Sequence, residues 1–302
     1  MNNKLFHLSK IQNIIILILF STVLTTGCLE SKWKRKQNPG FNGERAFQDL
    51  KYQVSLGPRI PGTAGQDQIL AWMEEILTQN KWEVELQDFE IQGKSITNLV
   101  ASRGEQDHYI LLGAHYDTRI FADRDPDPSL KEEPVPGAND GGSGVAVLLE
   151  LSRTLPEDLP VPVQIVFFDA EDNGGIEDWD WILGSRAYVD HLNIIPSAAI
   201  IVDMVGDVDL KIYKEHNSDQ ELNEQIWEQA GLLGYEKEFL PEYKFSVLDD
   251  HTPFLEAGIP AVDIIDLDYP FWHTTQDTVD KVSAKSLQIV GDTLFAWILS
   301  LE

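Results

Sequence analysis

The sequence Tyr109-Ile-Leu-Leu-Gly-Ala-His-Tyr-Asp117 joins an unbroken apolar run to a polar end. Apolar runs of this length are typical of strands that are buried on both faces of a sheet. A second run, Val163-Gln-Ile-Val-Phe-Phe168, is also followed by an acidic residue, and residues 144–155 between the two runs have apolar side chains at helical spacing. This order of strand, helix and strand predicts an α/β fold with a largely parallel sheet.

The rest of the chain continues this alternation on both sides of the central unit. Five further segments have strand or helix patterns: strands at 82–91, 198–202 and 260–265, and helices at 66–78 and 283–301. The Asp- and Pro-rich residues 121–136 are predicted to form a long surface loop. Because no repeat and no linker interrupts residues 46–302, we predict a single domain there, a three-layer sandwich with a mixed, mostly parallel central sheet.

The composition excludes several classes of protein. The chain has 302 residues and 43% of them are hydrophobic, which is ordinary for a globular protein. Its 23 basic and 50 acidic residues give a net charge of −27, which argues against nucleic acid as a partner and against docking on anionic lipid. Cys28 is the only cysteine, so an intramolecular disulfide framework is excluded and any metal site must use His, Asp and Glu.

The first 28 residues have the pattern of an export signal. Two lysines precede an apolar run from Ile14 to Leu24, which is shorter than the ~20 residues of a membrane-spanning helix. Gly27-Cys28 resembles a bacterial lipoprotein cleavage site. We therefore expect an exported lipoprotein on the periplasmic or cell-surface side, held to the membrane only by this segment, with an uncleaved N-terminal anchor as the alternative. Residues 29–45 are predicted to be a polar tether.

Acidic residues and histidines lie just after the predicted strands or just before the central helix. In open α/β sheets, binding sites form at the edge where the strands end. The residues concerned are His115, Asp140, Glu171, Asp172, Asp203 and His273. Together they offer nitrogen and oxygen ligands of the kind that bind zinc in enzymes.

Several short motifs around these residues resemble one known superfamily. The motifs are HYD (115–117), GANDGGSGVAVLLEL (137–151), FFDAED (167–172), VDM (202–204), DDHTPFLEAGIP (249–260) and FWHT (271–274). This set is similar to the zinc aminopeptidase superfamily and, within it, to the glutaminyl-peptide cyclotransferases, or glutaminyl cyclases. The resemblance runs from about Gly57 to the final helix, and it implies a zinc exopeptidase-like fold and a single zinc-dependent catalytic domain.

The resemblance implies one zinc ion and names its ligands. Asp140, Asp172 and His273 match the zinc ligands of the cyclases, and three protein ligands leave one open position, as a catalytic zinc requires. Asp172 stands where the family often has Glu, which shortens the reach of that ligand by one methylene group. Glu171, beside this ligand, matches the acid/base that transfers a proton.

The resemblance also implies the reaction and the pocket in which it occurs. An N-terminal glutamine becomes pyroglutamate when its α-amine attacks the γ-carboxamide carbon and ammonia leaves. Asp203 and Asp249 match acidic residues that bind the substrate nitrogens. Trp272 matches an aromatic wall of the pocket, and Trp179 or Trp181 is expected to form a second wall. The expected partners are therefore peptides or proteins with an N-terminal glutamine.

Zinc aminopeptidases of the same superfamily are the main alternative. They hold two zinc ions, and their ligands match His115, Asp140 as the bridge, Asp172, Asp203 and His273. Because all five residues are present, the ligands alone do not separate the two activities. Three features favour the cyclase: Asp249 where aminopeptidases more often have Ser, Trp272 before the histidine ligand, and a tryptophan-bearing loop at 179–185. A binding protein with a decayed site is a third possibility, against which the intact Glu171 and ligands argue.

Overall fold

The computed structural model describes residues 40–104 and 107–301. The predicted signal segment 1–28 and residues 29–39 of the predicted tether lie outside the described residues. The first described helix starts at Gly43, inside the range predicted to be tether, because the Asn42 side chain accepts a hydrogen bond from the backbone N–H of Arg45 and caps it. None of the helices within residues 40–104 and 107–301 is long and apolar enough to span a bilayer.

Helices and strands alternate along most of the chain. The helices are α1 (Gly43–Ser55), α2 (Ala64–Gln79), α3 (Gly142–Thr154), α4 (Leu183–Asp190), α5 (Gln220–Leu233), α6 (Thr252–Glu256) and α7 (Ala284–Ser300). The strands are β1 (Glu83–Ile91), β2 (Lys94–Ser102), β3 (Ile110–His115), β4 (Val163–Phe168), β5 (Ala198–Asp203), β6 (Ile212–Glu215), β7 (Phe239–Phe245) and β8 (Ala261–Ile265).

Six strands form the central sheet, in the order β1-β2-β4-β3-β5-β8. The pairs β4–β3, β3–β5 and β5–β8 are parallel, whereas the β1–β2 hairpin at one edge pairs antiparallel with β4. The predicted fold class, an α/β protein with a mixed, mostly parallel sheet, is therefore confirmed. A separate small sheet formed by β6 and β7 adds to this plan.

Apolar side chains cover both faces of the sheet and create three layers. Along β5, Ile200 and Val202 belong to the larger core on one face, which also contains residues of α1, α2, α3, α5 and α7. The alternate residue Ile201 belongs to a smaller core on the other face, with Tyr188 of α4 and Phe254 of α6. Both faces are buried because successive side chains of a strand point in opposite directions, which explains the unbroken apolar runs in the sequence.

Gly144 allows the first turn of α3 to pack directly on the end of β5. A Cβ atom at this position would overlap with the backbone carbonyl oxygen of Val202, one residue before Asp203. Because position 144 has no side chain, the N-terminal end of α3 can lie against the ends of the parallel strands. Asp140 lies just before this end of the helix.

Replacing Gly144 with Ala should destabilise the fold, because the new methyl group meets rigid backbone. We expect a loss of about 1–3 kcal/mol in the free energy of unfolding, measured by denaturant titration. The matched control is Gly231→Ala in α5, where an added Cβ has no neighbour closer than 3.9 Å. That change should stabilise the protein by about 0.5–1 kcal/mol, because alanine favours helix over glycine. Equal stability of the Gly144→Ala variant and the wild type would contradict the packing argument.

Candidate metal centre and active site

The candidate site residues converge at the carboxyl ends of the parallel strands. His115 is the last residue of β3 and Asp203 the last residue of β5, while Glu171 and Asp172 follow β4 after a short turn. Asp140 lies just before α3, and the loop after β8 contributes His273. All six predicted residues are more than nine-tenths buried: His115 1%, Asp140 3%, Glu171 8%, Asp172 2%, Asp203 7% and His273 1% exposed.

The carboxylate of Asp140 lies between the two histidines. Its Oδ1 atom is 3.2 Å from Nε2 of His115, and its Oδ2 atom is 3.8 Å from Nε2 of His273. Two groups of potential metal ligands therefore share this one side chain. They are Asp140 with Asp172 and His273, and Asp140 with His115 and Asp203, with the ligand atoms of each group within 4.8 Å of one another.

The first group, Asp140 with Asp172 and His273, has oxygen atoms free to bind a cation. Nε2 of His273 lies 2.8 Å from Oδ1 of Asp172. Oδ2 of Asp140 and Oδ2 of Asp172 are buried and accept no hydrogen bond from any described residue. Because a buried carboxylate without a partner is costly, this donor set of two carboxylates and an imidazole fits a zinc ion.

The second group, Asp140 with His115 and Asp203, has more internal contacts. Nε2 of His115 lies 3.1 Å from Oδ1 of Asp203. Burial alone lowers the pKa of His115, but the charge of Asp203 and the hydrogen bonds to its acidic neighbours raise that pKa well above its usual value. Burial raises the pKa of Asp203 to about 7. These carboxylates can therefore satisfy the imidazole of His115 or, like the first group, bind a cation.

Asp117 organises the loop that carries Glu171 and Asp172. Its carboxylate accepts hydrogen bonds from the backbone N–H of Glu171 at 3.1 Å and of Asp172 at 3.3 Å, and from the Asn173 side chain at 3.1 Å. Its Oδ1 atom is also 3.3 Å from Nδ1 of His115. One buried carboxylate thus positions three of the candidate residues at once.

Asp277 and Arg59 play the corresponding role for Asp140, and the sequence analysis did not identify either. The carboxylate of Asp277 accepts hydrogen bonds from the backbone N–H groups of Asn139 at 2.9 Å and of Asp140 at 3.1 Å. It therefore connects the loop that contains His273 to the loop that contains Asp140. The fully buried guanidinium of Arg59 donates to the carbonyl oxygen of Gly137 at 2.7 Å. The available signals were the position of Asp277, four residues after His273, and the position of Arg59 in the Gly- and Pro-rich stretch 57–63 where the family resemblance begins.

Left-handed backbone conformations coincide with the candidate residues. Ala170, directly before Glu171, has φ = 52°, Met204, directly after Asp203, has φ = 46°, and His273 itself has φ = 57°. Such conformations cost of order 1–3 kcal/mol each in residues other than glycine and persist only where the surrounding structure enforces them. The chain therefore turns sharply at each strand end to direct these side chains inward.

A pocket of about 250 Å³ opens beside the ligand groups. It is lined by the candidate acids Asp140, Glu171, Asp172, Asp203 and Asp249, by Trp181 and Trp272, and by apolar residues that include Leu248 and Ile265. Burial raises the pKa of the Glu171 carboxyl well above its usual range, and the nearby charges of Asp172 and Asp249 raise it further. A carboxyl group whose pKa is raised by burial is suited to proton transfer.

The two candidate tryptophans of the 179–185 loop lie in different places. Trp181 lines the pocket, and its ring is stacked at 12° to the ring of His273, with 6.2 Å between centroids. Trp179 does not reach the pocket: it packs in a small core with Ile96 and Leu183. The structure therefore places Trp181, and not Trp179, in the pocket together with Trp272. Left-handed residues at 177, 178 and 182 flank the two indoles in this irregular loop.

Comparison with known proteins agrees with this geometry. The model of the family described as Peptidase family M28 matches residues 98–298. The chain belongs to peptidase family M28. The matched range contains both candidate ligand groups and all the residues that line the pocket, so in this M28 protein the candidate centre lies within the part that defines the family.

The known relatives of this M28 chain differ in activity. Aminopeptidase YwaD of Bacillus subtilis is 30% identical over 291 residues, which cover 87% of this chain and 58% of that protein. Porphyromonas gingivalis glutaminyl cyclase, a crystal structure, is 34% identical, with 85% of this chain and 97% of that chain covered and a TM-score of 0.81. A Zn-dependent exopeptidase from Parabacteroides distasonis is 30% identical, with 87% and 99% covered and a TM-score of 0.83. This chain thus spans less than two thirds of the Bacillus aminopeptidase.

Replacing each histidine separately tests the ligand groups. For a single ion held by Asp140, Asp172 and His273, the His273→Ala protein should lose its zinc, while His115→Ala should keep it. Zinc per folded chain is measured by elemental analysis after dialysis, with circular dichroism as the test of folding. His216→Ala is the control, since that histidine is exposed and belongs to neither group. A full equivalent of zinc in the His273→Ala protein would contradict the assignment; loss of one of two ions in each variant would show a binuclear centre.

Proposed function

We propose that this protein is a zinc-dependent glutaminyl cyclase, which converts the N-terminal glutamine of peptides into pyroglutamate and ammonia. The observation that carries the proposal is the small pocket that Glu171, Asp203 and Asp249 line together with Trp181 and Trp272. Its volume of about 250 Å³ is below the ~300–1,000 Å³ of most ligand sites, which suits one amino-acid residue. Similarity to the Porphyromonas glutaminyl cyclase supports the same activity.

The residues that would hold the zinc ion are Asp140, Asp172 and His273. Their fit rests on the two buried carboxylate oxygens that accept no hydrogen bond from the described residues. When bound, zinc supplies a Lewis acid that polarises the carbonyl oxygen of an amide. Arg119 supports this ligand group, because its guanidinium donates to the backbone carbonyl oxygen of Asp172 at 2.6 Å.

Glu171 is the residue that transfers the proton. In the reaction the substrate amine forms a bond to the γ-carboxamide carbon, and the bond from that carbon to the amide nitrogen breaks. The amine must lose a proton and the departing nitrogen must gain one, so a single shuttle balances the reaction. The Glu171 carboxylate lies in the pocket and makes no hydrogen bond with another described side chain, which leaves it free to receive and return the proton.

The remaining pocket residues hold the substrate in the curled form that cyclisation requires. Asp203 and Asp249 present carboxyl groups that can accept hydrogen bonds from the substrate nitrogens. Trp181 and Trp272 provide flat walls, and each is kept in place by an arginine over its ring, Arg119 at 5.0 Å and Arg124 at 4.1 Å. Confining the amine next to the carboxamide raises their effective concentration.

Aminopeptidase activity is the second candidate, and one observation favours it. The structure brings all five residues of a two-metal site together, with Asp140 placed as the bridge between His115 and His273. Aminopeptidase YwaD of Bacillus subtilis is among the relatives. In that activity the same Glu171 would act as the base for water instead of for the substrate amine.

Two reporters separate the activities in one experiment. Purified protein is offered a glutaminyl and a leucyl derivative of the same amine at equal concentration. We expect ammonia and a pyroglutamyl product from the first and no free leucine from the second. Release of leucine without pyroglutamate would instead identify an aminopeptidase, and heat-inactivated protein controls for spontaneous cyclisation.

The variant Glu171→Gln tests the proton shuttle apart from metal binding. We expect zinc content and thermal stability to remain as in the wild type, while kcat falls by about 10²–10⁴-fold, the usual contribution of a general acid/base. Glu177→Gln is the matched control, because this residue of the same loop has an exposed side chain. Wild-type turnover in the Glu171→Gln protein would remove this residue from the mechanism.

We also propose that the protein is exported and anchored as a lipoprotein. The apolar run from Ile14 to Leu24 and the Gly27-Cys28 pair support this proposal. Cells expressing the wild-type protein should incorporate labelled palmitate into it, and a Cys28→Ser variant should not. A protein that stays in the membrane fraction without label would indicate the uncleaved anchor, and an unlabelled, freely soluble protein would contradict both alternatives.

A further inference from the structure

A groove lies beside the active-site pocket and shares two of its lining residues, Trp181 and Leu248. Its volume is about 710 Å³, compared with about 250 Å³ for the pocket. A pocket that takes one residue must leave the rest of a peptide outside it, so the chain beyond the glutamine has to follow an adjoining surface. The shared tryptophan makes this groove continuous with the place where the first residue is held.

Apolar side chains at the edge of the sheet and on α4 give the groove its base. Phe89 and Ile91 of β1 lie on one side, and Leu183 and Ala187 of α4 lie on the other. Leu248, which is half exposed, stands at the junction with the pocket. Such a surface can contact the main chain and the aliphatic parts of a bound peptide.

Acidic side chains surround this base. Asp88, Glu90, Asp180 and Asp190 all line the groove. Asp88 accepts a hydrogen bond from Thr97, and Asp180 accepts one from Gln92. Both donors are neutral side chains, so they do not neutralise the charges of the two carboxylates. The carboxylates of Glu90 and Asp190 have no hydrogen-bond or ion-pair partner among residues 40–104 and 107–301. Four carboxylates therefore line the groove, and two of them have no partner within those ranges.

Two basic side chains line the groove, Arg186 and His191, and both have partners: Nδ1 of His191 lies 2.8 Å from the backbone carbonyl oxygen of Ala187. Nη1 of Arg186 lies 2.6 Å from Oε2 of Glu256, outside the groove. A second cavity, of about 610 Å³, adjoins the pocket through residues 246–248, and Glu256 is the only charged residue that lines it in the described part of the chain. The two routes away from the pocket thus differ in charge, so a preference for charged peptides distinguishes between them.

We propose that the groove binds the residues that follow the N-terminal glutamine and selects peptides with lysine or arginine there. The proposal rests on the proposed function, since it concerns the same substrate. Uncompensated carboxylates next to an apolar base attract a side chain that has a positive head and an aliphatic stem, and they repel an acidic one. The net charge of the whole chain adds to this attraction at low salt.

The test compares peptides that differ in one side chain. Amidated tetrapeptides Gln-Ala-Ala-Ala with Lys or Glu at position two, three or four are assayed for kcat/KM, together with a glutaminyl amide too short to reach the groove. We expect the Lys peptide to exceed the Glu peptide by about three- to tenfold in at least one position at 0.01 M salt, where the screening length is about 30 Å. The ratio should approach one at 1 M salt, where that length is about 3 Å.

Two double variants assign the preference to the groove. Glu90→Gln with Asp190→Asn removes the two carboxylates without partners, so the fold should be unaffected and the ratio of Lys to Glu peptides should fall toward one. Glu228→Gln with Glu242→Gln removes the same charge from exposed residues that line none of the cavities described here, and it should leave the ratio unchanged. The short glutaminyl amide should be converted equally well by all three proteins.

Each contrary outcome has a distinct meaning. If the short amide is converted but the Lys and Glu peptides react equally, the groove proposal fails and the cyclase proposal stands. If the ratio of Lys to Glu peptides falls equally in both double variants, the preference comes from the long-range electrostatic field of the whole protein. That result also overturns the proposal of a binding groove. If no glutaminyl compound is converted, the cyclase proposal fails and the groove proposal fails with it.

Discussion

The placement of the Asp140 carboxylate between His115 and His273 is the constraint on which the rest of the site depends. Each of its oxygens faces a different imidazole, so a shift of this one side chain would disrupt both ligand groups together. Nothing in the residue itself holds it there. Its backbone N–H is bound by Asp277, and Gly144 allows the helix that follows it to lie directly on β5. The geometry of the centre is therefore a property of packing and backbone hydrogen bonds several residues away.

The same site combines buried charges and strained backbone, both of which lower the stability of the folded protein. Buried carboxylates raise one another's pKa, as in Asp172, where burial and the charge of Asp140 raise it to about 6. Left-handed residues at 170, 204 and 273 add backbone strain. Burial of apolar side chains in the cores on the two faces of the sheet stabilises the fold and offsets these unfavourable contributions. The cores are formed mainly by strands and helices, whereas the unfavourable contributions come from the loops. The fold can thus tolerate a site that is unfavourable in itself.

The fold class was predictable because buried strands and amphipathic helices leave local patterns in the sequence. Buried strands appear as unbroken apolar runs, and β4 was predicted with the bounds that the structure has. The small sheet of β6 and β7 was not predicted, since its strands are short and β7 is mostly exposed. The position of Trp179 in a small core was equally hidden, because its loop has no regular pattern from which burial could be predicted. Asp277 and Arg59 act through tertiary contacts, which no sequence spacing encodes.

The choice between cyclase and aminopeptidase rests on the surroundings of the ligands and not on the ligands. Both activities use the same carboxylates and imidazoles, so the agreement of all five positions supports the family without separating its members. What differs is the space next to them. A peptidase that uses water has to bind a substrate peptide with its second residue close to the metal centre. A cyclase has to bind a single glutamine residue in a curled conformation. The two indoles and the volume of about 250 Å³ favour the second task, and the wider groove that shares Trp181 offers space for the rest of the peptide.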